Sequence, residues 1–294
     1  MRVFITGASG FIGSAIVQEL LNARYQVVGL ARSEESAQSL TKAGANVVRG
    51  TLEDLDSLKR GATYADGVIH TAFIHDFSNY AAAAETDKHA IEAIGSVLAG
   101  SDRPLIVTGG ILGLRTDGNF ITENDPAPGF PRASEAAAMS LAEAGVRASV
   151  IRLPPSVHDA GDYGFIPYII NTARKKGVSA YVGDGGNRWP AVHRLDAAHL
   201  FRLALEKGAT GARYNAIGDE GIPVREIAEV IGKYLNVPVV SITPEEAATH
   251  FDWMGRFITF DSPATAIITK EQLDWEPTHP GLIDDLHKGH YFGS

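Results

Sequence analysis

Short apolar runs alternate with amphipathic segments over the first half of the chain. Val3-Phe4-Ile5 reads as a strand, followed by a helical stretch from Ser14 to Leu21. Gln26-Val27-Val28-Gly29-Leu30 predicts a second strand and Glu34 to Ala43 a helix. Asn46-Val47-Val48-Arg49-Gly50 predicts a third strand, with a helix beginning near Leu55. Asp66 to Ala72 follows as a fourth strand, covered by a helix from Glu85 to Leu98. Pro104 to Thr108 and Ala148 to Leu153 complete the series. Short β-branched strands separated by helices predict a parallel sheet covered on both faces. The expected class is α/β: a Rossmann-type, doubly wound parallel sheet whose ligands lie beyond the carboxyl ends of the strands.

The pattern changes after Leu153. Proline, glycine and aromatic residues crowd Pro154 to Pro190, which reads as loops and short helices. A helix from Asp196 to Glu206 and a strand near Tyr214-Asn215-Ala216-Ile217 are expected to rejoin the main sheet. A helix from Val224 to Leu235, a strand over Val239-Val240-Ser241-Ile242 and further helices suggest a smaller C-terminal substrate lobe. The expected division is a nucleotide-binding core over 1–153, to which about 183–217 returns, and a mainly substrate-binding lobe over 154–294.

The turn after the first strand carries the most specific chemistry. Gly7-Ala8-Ser9-Gly10-Phe11-Ile12-Gly13 places three glycines as G-x-x-G-x-x-G between a strand and a helix. The first two glycines permit a tight turn and close approach of backbone to a pyrophosphate, and the third lets helix pack on strand. The helix start adds unpaired N–H groups and partial positive charge. A dinucleotide is therefore expected on Gly7, Ser9, Gly10, Phe11, Ile12 and Gly13. Leu52 is expected near the adenine; Thr71, Ala72, Phe73, Thr108 and Leu153, at later strand ends, lie along the cofactor.

Composition narrows the field further. A formal net charge of −9 without a basic stripe argues against nucleic acid as a partner. The absence of cysteine excludes disulfides and thiolate chemistry and suits a reducing, cytoplasmic location. The opening residues form a strand instead of a signal peptide, and no apolar run is long enough for a membrane span. The expected partner is a small-molecule substrate. Nothing separates an interface face from a core face on helices such as Glu85 to Leu98, so the oligomeric state stays open.

The end of the second strand distinguishes the coenzymes. An acidic residue there favours NAD by binding the ribose hydroxyls, but Leu30-Ala31-Arg32-Ser33 lacks a carboxylate and offers Arg32. A guanidinium pairs with a 2′-phosphate, so NADP(H) is expected over NAD(H).

Together, Thr6 to Gly13, Asp66-Gly67-Val68-Ile69-His70-Thr71-Ala72, Val192-His193-Arg194-Leu195-Asp196-Ala197-Ala198 and Leu273-Asp274-Trp275-Glu276-Pro277 carry a resemblance. In this order they resemble the extended and atypical branches of the short-chain dehydrogenase/reductase superfamily, the NAD-dependent epimerase/dehydratase-like proteins. The resemblance implies a Rossmann core, a C-terminal substrate lobe and hydride chemistry at a carbonyl or alcohol carbon. In that family a tyrosine and a lysine four residues apart transfer the proton beside a serine or threonine. Aligning Ser134-Glu135 with the family's serine-lysine puts Pro131 where the tyrosine belongs and Glu135 where the lysine belongs. Neither tyrosine nor lysine occurs between His89 and Asp162, so no shift of register restores the pair. Thr108 is left for the hydroxyl role. The loop Pro154 to Tyr163 is expected to face the nicotinamide and supplies two candidate proton donors, His158 and Tyr163. A structural histidine is the commoner fate of His158 and of His193.

Other constellations are weaker. His70 and His75 lack a third ligand, and His287 and His290 read as a solvated tail, so no metal is expected. Arg188 and Trp189 either line a substrate pocket or anchor the C-terminal lobe. The leading expectation is an NADP(H)-dependent oxidoreductase acting on a small carbonyl or alcohol with a non-standard proton donor. A non-catalytic NADP-binding sensor and a nucleotide-sugar epimerase or dehydratase are the alternatives.

Overall fold

The computed structural model describes residues 1–75, 79–114, 119–127 and 133–293. The first half runs β1 (Arg2–Thr6), α1 (Phe11–Asn22), β2 (Gln26–Ala31), α2 (Glu34–Ala43), β3 (Asn46–Arg49), α3 (Leu55–Thr63), β4 (Gly67–His70), α4 (Tyr80–Leu98), β5 (Leu105–Gly110), α5 (Ser134–Glu143) and β6 (Ala148–Leu153). The second half runs β7 (Ser156–His158), α6 (Phe165–Lys176), β8 (Ser179–Val182), β9 (Arg188–His193), α7 (Arg194–Lys207), β10 (Arg213–Asn215), β11 (Asp219–Pro223), α8 (Val224–Leu235), β12 (Val239–Ile242) and α9 (Pro244–Phe251). A 3-10 helix (Asp252–Thr259), α10 (Ile267–Leu273) and α11 (Leu282–His287) complete it.

Seven strands form one sheet in the order β10-β6-β5-β4-β1-β2-β3. Every pairing in it is parallel. The order reverses at β1, which lies between β2 and β4; this is the switch point where open α/β sheets form a ligand crevice. Side-chain alternation divides the strand between two cores. Val3 and Ile5 of β1 join α1, α2 and α7 on one face, while Phe4 joins α3, α4 and α5 on the other. That is why β1 reads as a continuous apolar run: both of its faces are buried. At α2, Ser33 accepts the Ser36 N–H at 3.1 Å, and Gly44 ends the helix in the left-handed region, so both boundaries are set by local chemistry.

The region from Pro154 to Pro190 is more regular than its composition suggests. It holds β7, the twelve-residue α6, β8 and the start of β9. Pro167 does not break α6 because it lies in the first turn, where the N–H has no intrahelical partner. β7 is only three residues long, too short for a readable alternation. α6, β8 and β9, with α8, α9, the 3-10 helix and α11, enclose a separate core around Trp189. Trp189 is wholly buried there, the anchoring alternative, while Arg188 pairs with Asp261 through two nitrogens at 3.1 and 3.0 Å. His287 and His290 are both exposed, as expected, but they follow a packed helix: α11 buries Leu286 and Asp285, and the His287 ring meets Tyr234 Oη at 3.3 Å.

The segment after α10 docks back on the core through Trp275, 0% exposed, whose Nε1 donates to the Asp196 carbonyl at 3.1 Å. The Asp196 carboxylate accepts the N–H groups of Thr278 and His279, each at 3.0 Å. Trp275→Ala should lower unfolding free energy by about 3–5 kcal/mol, the cost of emptying a large buried site. Trp275→Phe should cost less, and urea denaturation of the two variants checks the order.

Candidate active site

The crevice begins at the β1–α1 turn. Gly7 has φ +70°, and a Cβ there would lie 2.7 Å from Ala72 N and Thr71 Oγ1. At Gly13 a Cβ would lie 2.0 Å from the Gly7 carbonyl oxygen. Only glycine permits both approaches, and they press the first turn of α1 against the ends of β1 and β4. No side chain caps α1 at Gly10, and no acidic residue occupies its first turn. The helix therefore presents amide hydrogens and positive potential to the crevice, where an anion fits. Thr71 Oγ1 donates to the Thr6 carbonyl at 2.8 Å, fixing the end of β4 beside Gly7. Phe73 packs its ring 5.6 Å from Tyr80. Leu153 closes β6, its carbonyl accepting the Ile111 N–H at 3.0 Å.

The residues expected at the adenosine follow β2 and β3. Leu52 is buried with Leu30 and Leu58. Arg32 is exposed and takes part in none of the side-chain hydrogen bonds or ion pairs among the described residues. The neighbouring cation, Arg49, is committed: it donates to the Ser33 carbonyl at 2.8 Å and pairs with Glu34 at 2.5 Å. Arg49 thus offsets the Glu34 carboxylate, while Arg32 has no such pair among the described residues.

At the opposite end stands α5, whose start is the stretch expected to align with the tyrosine-lysine helix. Pro131, where the tyrosine belongs, lies outside the described residues, as do Phe130 and Arg132. Glu135, where the lysine belongs, is buried on α5 and receives Arg152 in a bidentate pair at 2.8 and 2.7 Å. Arg213 Nε adds a third bond at 2.7 Å. Burial pushes the Glu135 carboxyl up, but the two guanidinium groups outweigh it and hold the pKa below the ordinary glutamate value. Glu135 is therefore an ionised structural carboxylate and trades no proton near neutral pH. Beside it, Ser134 Oγ donates to Asp87, Asp87 meets His70 Nε2 at 2.9 Å, and His70 Nδ1 meets Thr6 Oγ1 at 2.9 Å. This wholly buried chain ties the start of α5 to the end of β1. Its members are far apart in sequence and carry no spacing signal.

The three candidate proton-handling residues make no hydrogen bond to one another and each has its own partner. Thr108 is nearly buried at the end of β5, and its hydroxyl donates to the His70 carbonyl at 2.9 Å. His158 is 0% exposed and turned inward, with Nδ1 3.0 Å from Asp285. Its ring stands 5.4 Å from that of His193. Burial lowers the His158 pKa against the pull of Asp285, while the bonds from His158 and Lys288 hold Asp285 low despite its own burial. The pair is thus a neutral imidazole donating to a carboxylate. Tyr163 is 72% exposed and sits on the glycine turn, where its hydroxyl accepts the Phe11 N–H at 3.2 Å. His70, being held by Thr6 and Asp87, is separated in role from the exposed His75. Among the described residues no group of three or more acidic or histidine side chains could hold a metal ion. No described helix is long and apolar enough to cross a membrane.

The loop bearing Tyr163 is latched from the C-terminal segment. Tyr291 Oη accepts the Asp159 N–H at 3.3 Å and donates to Asp162 at 3.1 Å. Burial raises the Asp162 carboxyl from 3.8 to about 6.

Comparison with known proteins follows this geometry. A family model described as NAD(P)H-binding matches residues 7–179. The chain is 53% identical over 295 residues to an uncharacterised protein of Schizosaccharomyces pombe, covering 99% of this chain and 100% of that one. It is 29% identical over 231 residues to 4-hydroxy-2-methyl-3-oxo-4-farnesyl-3,4-dihydroquinoline-1-oxide ketoreductase of Stigmatella aurantiaca, covering 73% of this chain and 67% of that protein. Among solved structures, a dTDP-glucose 4,6-dehydratase double mutant from Streptomyces venezuelae with NAD bound matches with TM-score 0.78 at 21% identity. It covers 99% of this chain and 96% of that one.

The Asp162 shift has a measurable consequence. Between pH 3.8 and about 6 the folded protein holds a proton here that the unfolded chain has released, so this carboxyl's contribution to stability falls as pH rises through that window. In Asp162→Asn that loss should be absent, so urea midpoints of variant and wild type should separate between those limits and run parallel above them.

Proposed function

Because the chain belongs to the NAD(P)H-binding family of the short-chain dehydrogenase/reductase superfamily, we propose that it is an NADP(H)-dependent oxidoreductase acting on a small carbonyl or alcohol. The supporting observation is the glycine turn: two positions where a Cβ would collide, at the start of a helix left uncapped for an anion. Gly7, Ser9, Gly10, Phe11, Ile12 and Gly13 hold the diphosphate. Leu52 borders the adenine, and Thr71, Ala72, Phe73 and Leu153 line the path to the nicotinamide. Arg32 takes the 2′-phosphate, since its guanidinium is free while Arg49 is engaged. When bound, the nicotinamide supplies or accepts the hydride. The relative named as a ketoreductase supports reduction of a carbonyl as the reaction class.

The protein's own share is positioning and one proton. Thr108 spends its hydrogen on the His70 carbonyl, so its oxygen meets a substrate alcohol as an acceptor. His158 is withheld by burial and by Asp285. Tyr163, solvent-exposed in the crevice, is assigned the proton. Glu135 fills the lysine position without replacing the lysine's charge, and that observation favours the second reading, a coenzyme-binding sensor without turnover.

Titration with both coenzymes followed by a panel of aldehydes and ketones separates the two readings. The oxidoreductase reading expects NADPH to bind at least about tenfold tighter than NADH and expects Arg32→Glu to erase that preference. Thr108→Ala and Tyr163→Phe should each lower kcat/KM by roughly a hundredfold. Tight binding without turnover across the panel selects the sensor, and equal affinity for the two coenzymes removes the role of Arg32.

A further inference from the structure

Arg194 opens α7 in an unfavourable place. A cation in the first turn of a helix faces the positive end of the macrodipole, where acidic residues are preferred. Within α7 the conflict is eased by Asp196 in the same turn and by the His193 ring, which accepts the Leu195 N–H, whereas the start of α1 has neither a side-chain cap nor an acidic residue. The guanidinium carbon lies 4.6 Å above the ring of Phe11, the first residue of α1, so Arg194 also stands at the positive end of that second helix. Its one ion pair, to Asp159 at 3.1 Å, engages a single terminal nitrogen. Arg194 Nε is buried and has no hydrogen-bond partner. A guanidinium with an idle donor, beside the uncapped start of α1, is arranged for an anion.

Tyr163 meets the same Phe11 ring edge-on, with ring centroids 6.0 Å apart at 69°. The Tyr163 hydroxyl oxygen accepts the Phe11 N–H, the contact a phosphate oxygen makes at such a turn. It would also lie 3.7 Å from a Cβ placed on Gly10. Little packing holds Tyr163 there, since it is 72% exposed and sits between Gly161, at φ +84°, and Gly164. An anion arriving at Phe11 N therefore displaces a weakly held hydroxyl.

We propose that Arg194 is a ligand of the coenzyme diphosphate, and that the Tyr163 hydroxyl occupies the same seat on Phe11 N–H until the diphosphate takes it. This rests on the coenzyme reading above and deepens it. Asp159 balances Arg194 while the seat lacks an anion and orients the guanidinium toward the glycine turn. Release of Tyr163 also ties coenzyme binding to the freeing of the residue assigned the proton.

The test is direct binding of ADP-ribose and NADPH by calorimetry, without substrate. Arg194→Met should weaken both about tenfold to a hundredfold, the range for losing a charge-assisted hydrogen bond, with a shallower dependence of affinity on salt. Arg194→Lys should restore part of the affinity, a rescue that a packing role through the Phe11 ring would not give. Tyr163→Phe should tighten ADP-ribose binding about threefold by removing the competing oxygen. Unchanged binding by a folded Arg194→Met, judged by its melting curve, overturns the ligand role; should that variant not fold, an Arg194→Lys with wild-type affinity and salt slope overturns it instead. Unchanged affinity in Tyr163→Phe overturns the shared seat. Wild-type protein that binds neither ADP-ribose nor either coenzyme overturns the underlying reading together with this one, a result distinct from loss in the variants alone.

Discussion

The contact between Gly13 and the Gly7 carbonyl governs the geometry of everything around it. A side chain at Gly13 would need to sit 2.0 Å from that oxygen, so α1 lies against the end of β1 as closely as backbone allows. This closeness brings Phe11 N–H to the sheet edge, where Tyr163 reaches it, and lets α7 pack beside α1 with Arg194 over Phe11. The same turn borders Ala72 and Thr71 at the end of β4, and Thr6 and His70 link it through Asp87 to the start of α5. A shift of α1 by one methyl group would propagate along each of these connections, because packed interiors have few voids to absorb it.

The charge cluster at α5 shows how one buried carboxylate dictates the residues of the strands beside it. A lysine at position 135 would bring positive charge to the crevice. Glu135 brings negative charge, and the fold then needs Arg152 from β6 and Arg213 from β10 to neutralise it. Once built, the arrangement resists piecemeal change: removing either partner of a buried pair leaves an uncompensated charge. It also joins two neighbouring strands to the helix above them, which explains a wholly buried arginine near the end of an apolar strand.

The sheet was legible where local chemistry marked its boundaries. The span Glu34–Ala43 follows from a serine cap before it and a left-handed glycine after it, and Val224–Leu235 from a strong apolar stripe. Between Pro154 and Pro190 those signals fail, because β7 is too short for alternation and Pro167 masks α6 by standing in its first turn. At the site, the glycine spacing was readable because steric need fixes both residue type and separation. The partners of Glu135, and the Thr6–His70–Asp87–Ser134 chain, depend on tertiary neighbours that no local spacing encodes. His158 illustrates the same limit: its position after a strand end suggested chemistry, while Asp285, 127 residues away, turns it inward.

Tyr291 deserves a place in any account of the crevice, though it is remote from it in sequence. Its hydroxyl buckles the strap that carries Tyr163, and α11 just before it is pinned by the His158–Asp285 bond. Trimming the final few residues would unfasten that buckle and loosen the mouth of the coenzyme cleft from behind. Tyr291 thus works as a hasp, fastening from α11's side of the fold the strap that lies over the glycine turn.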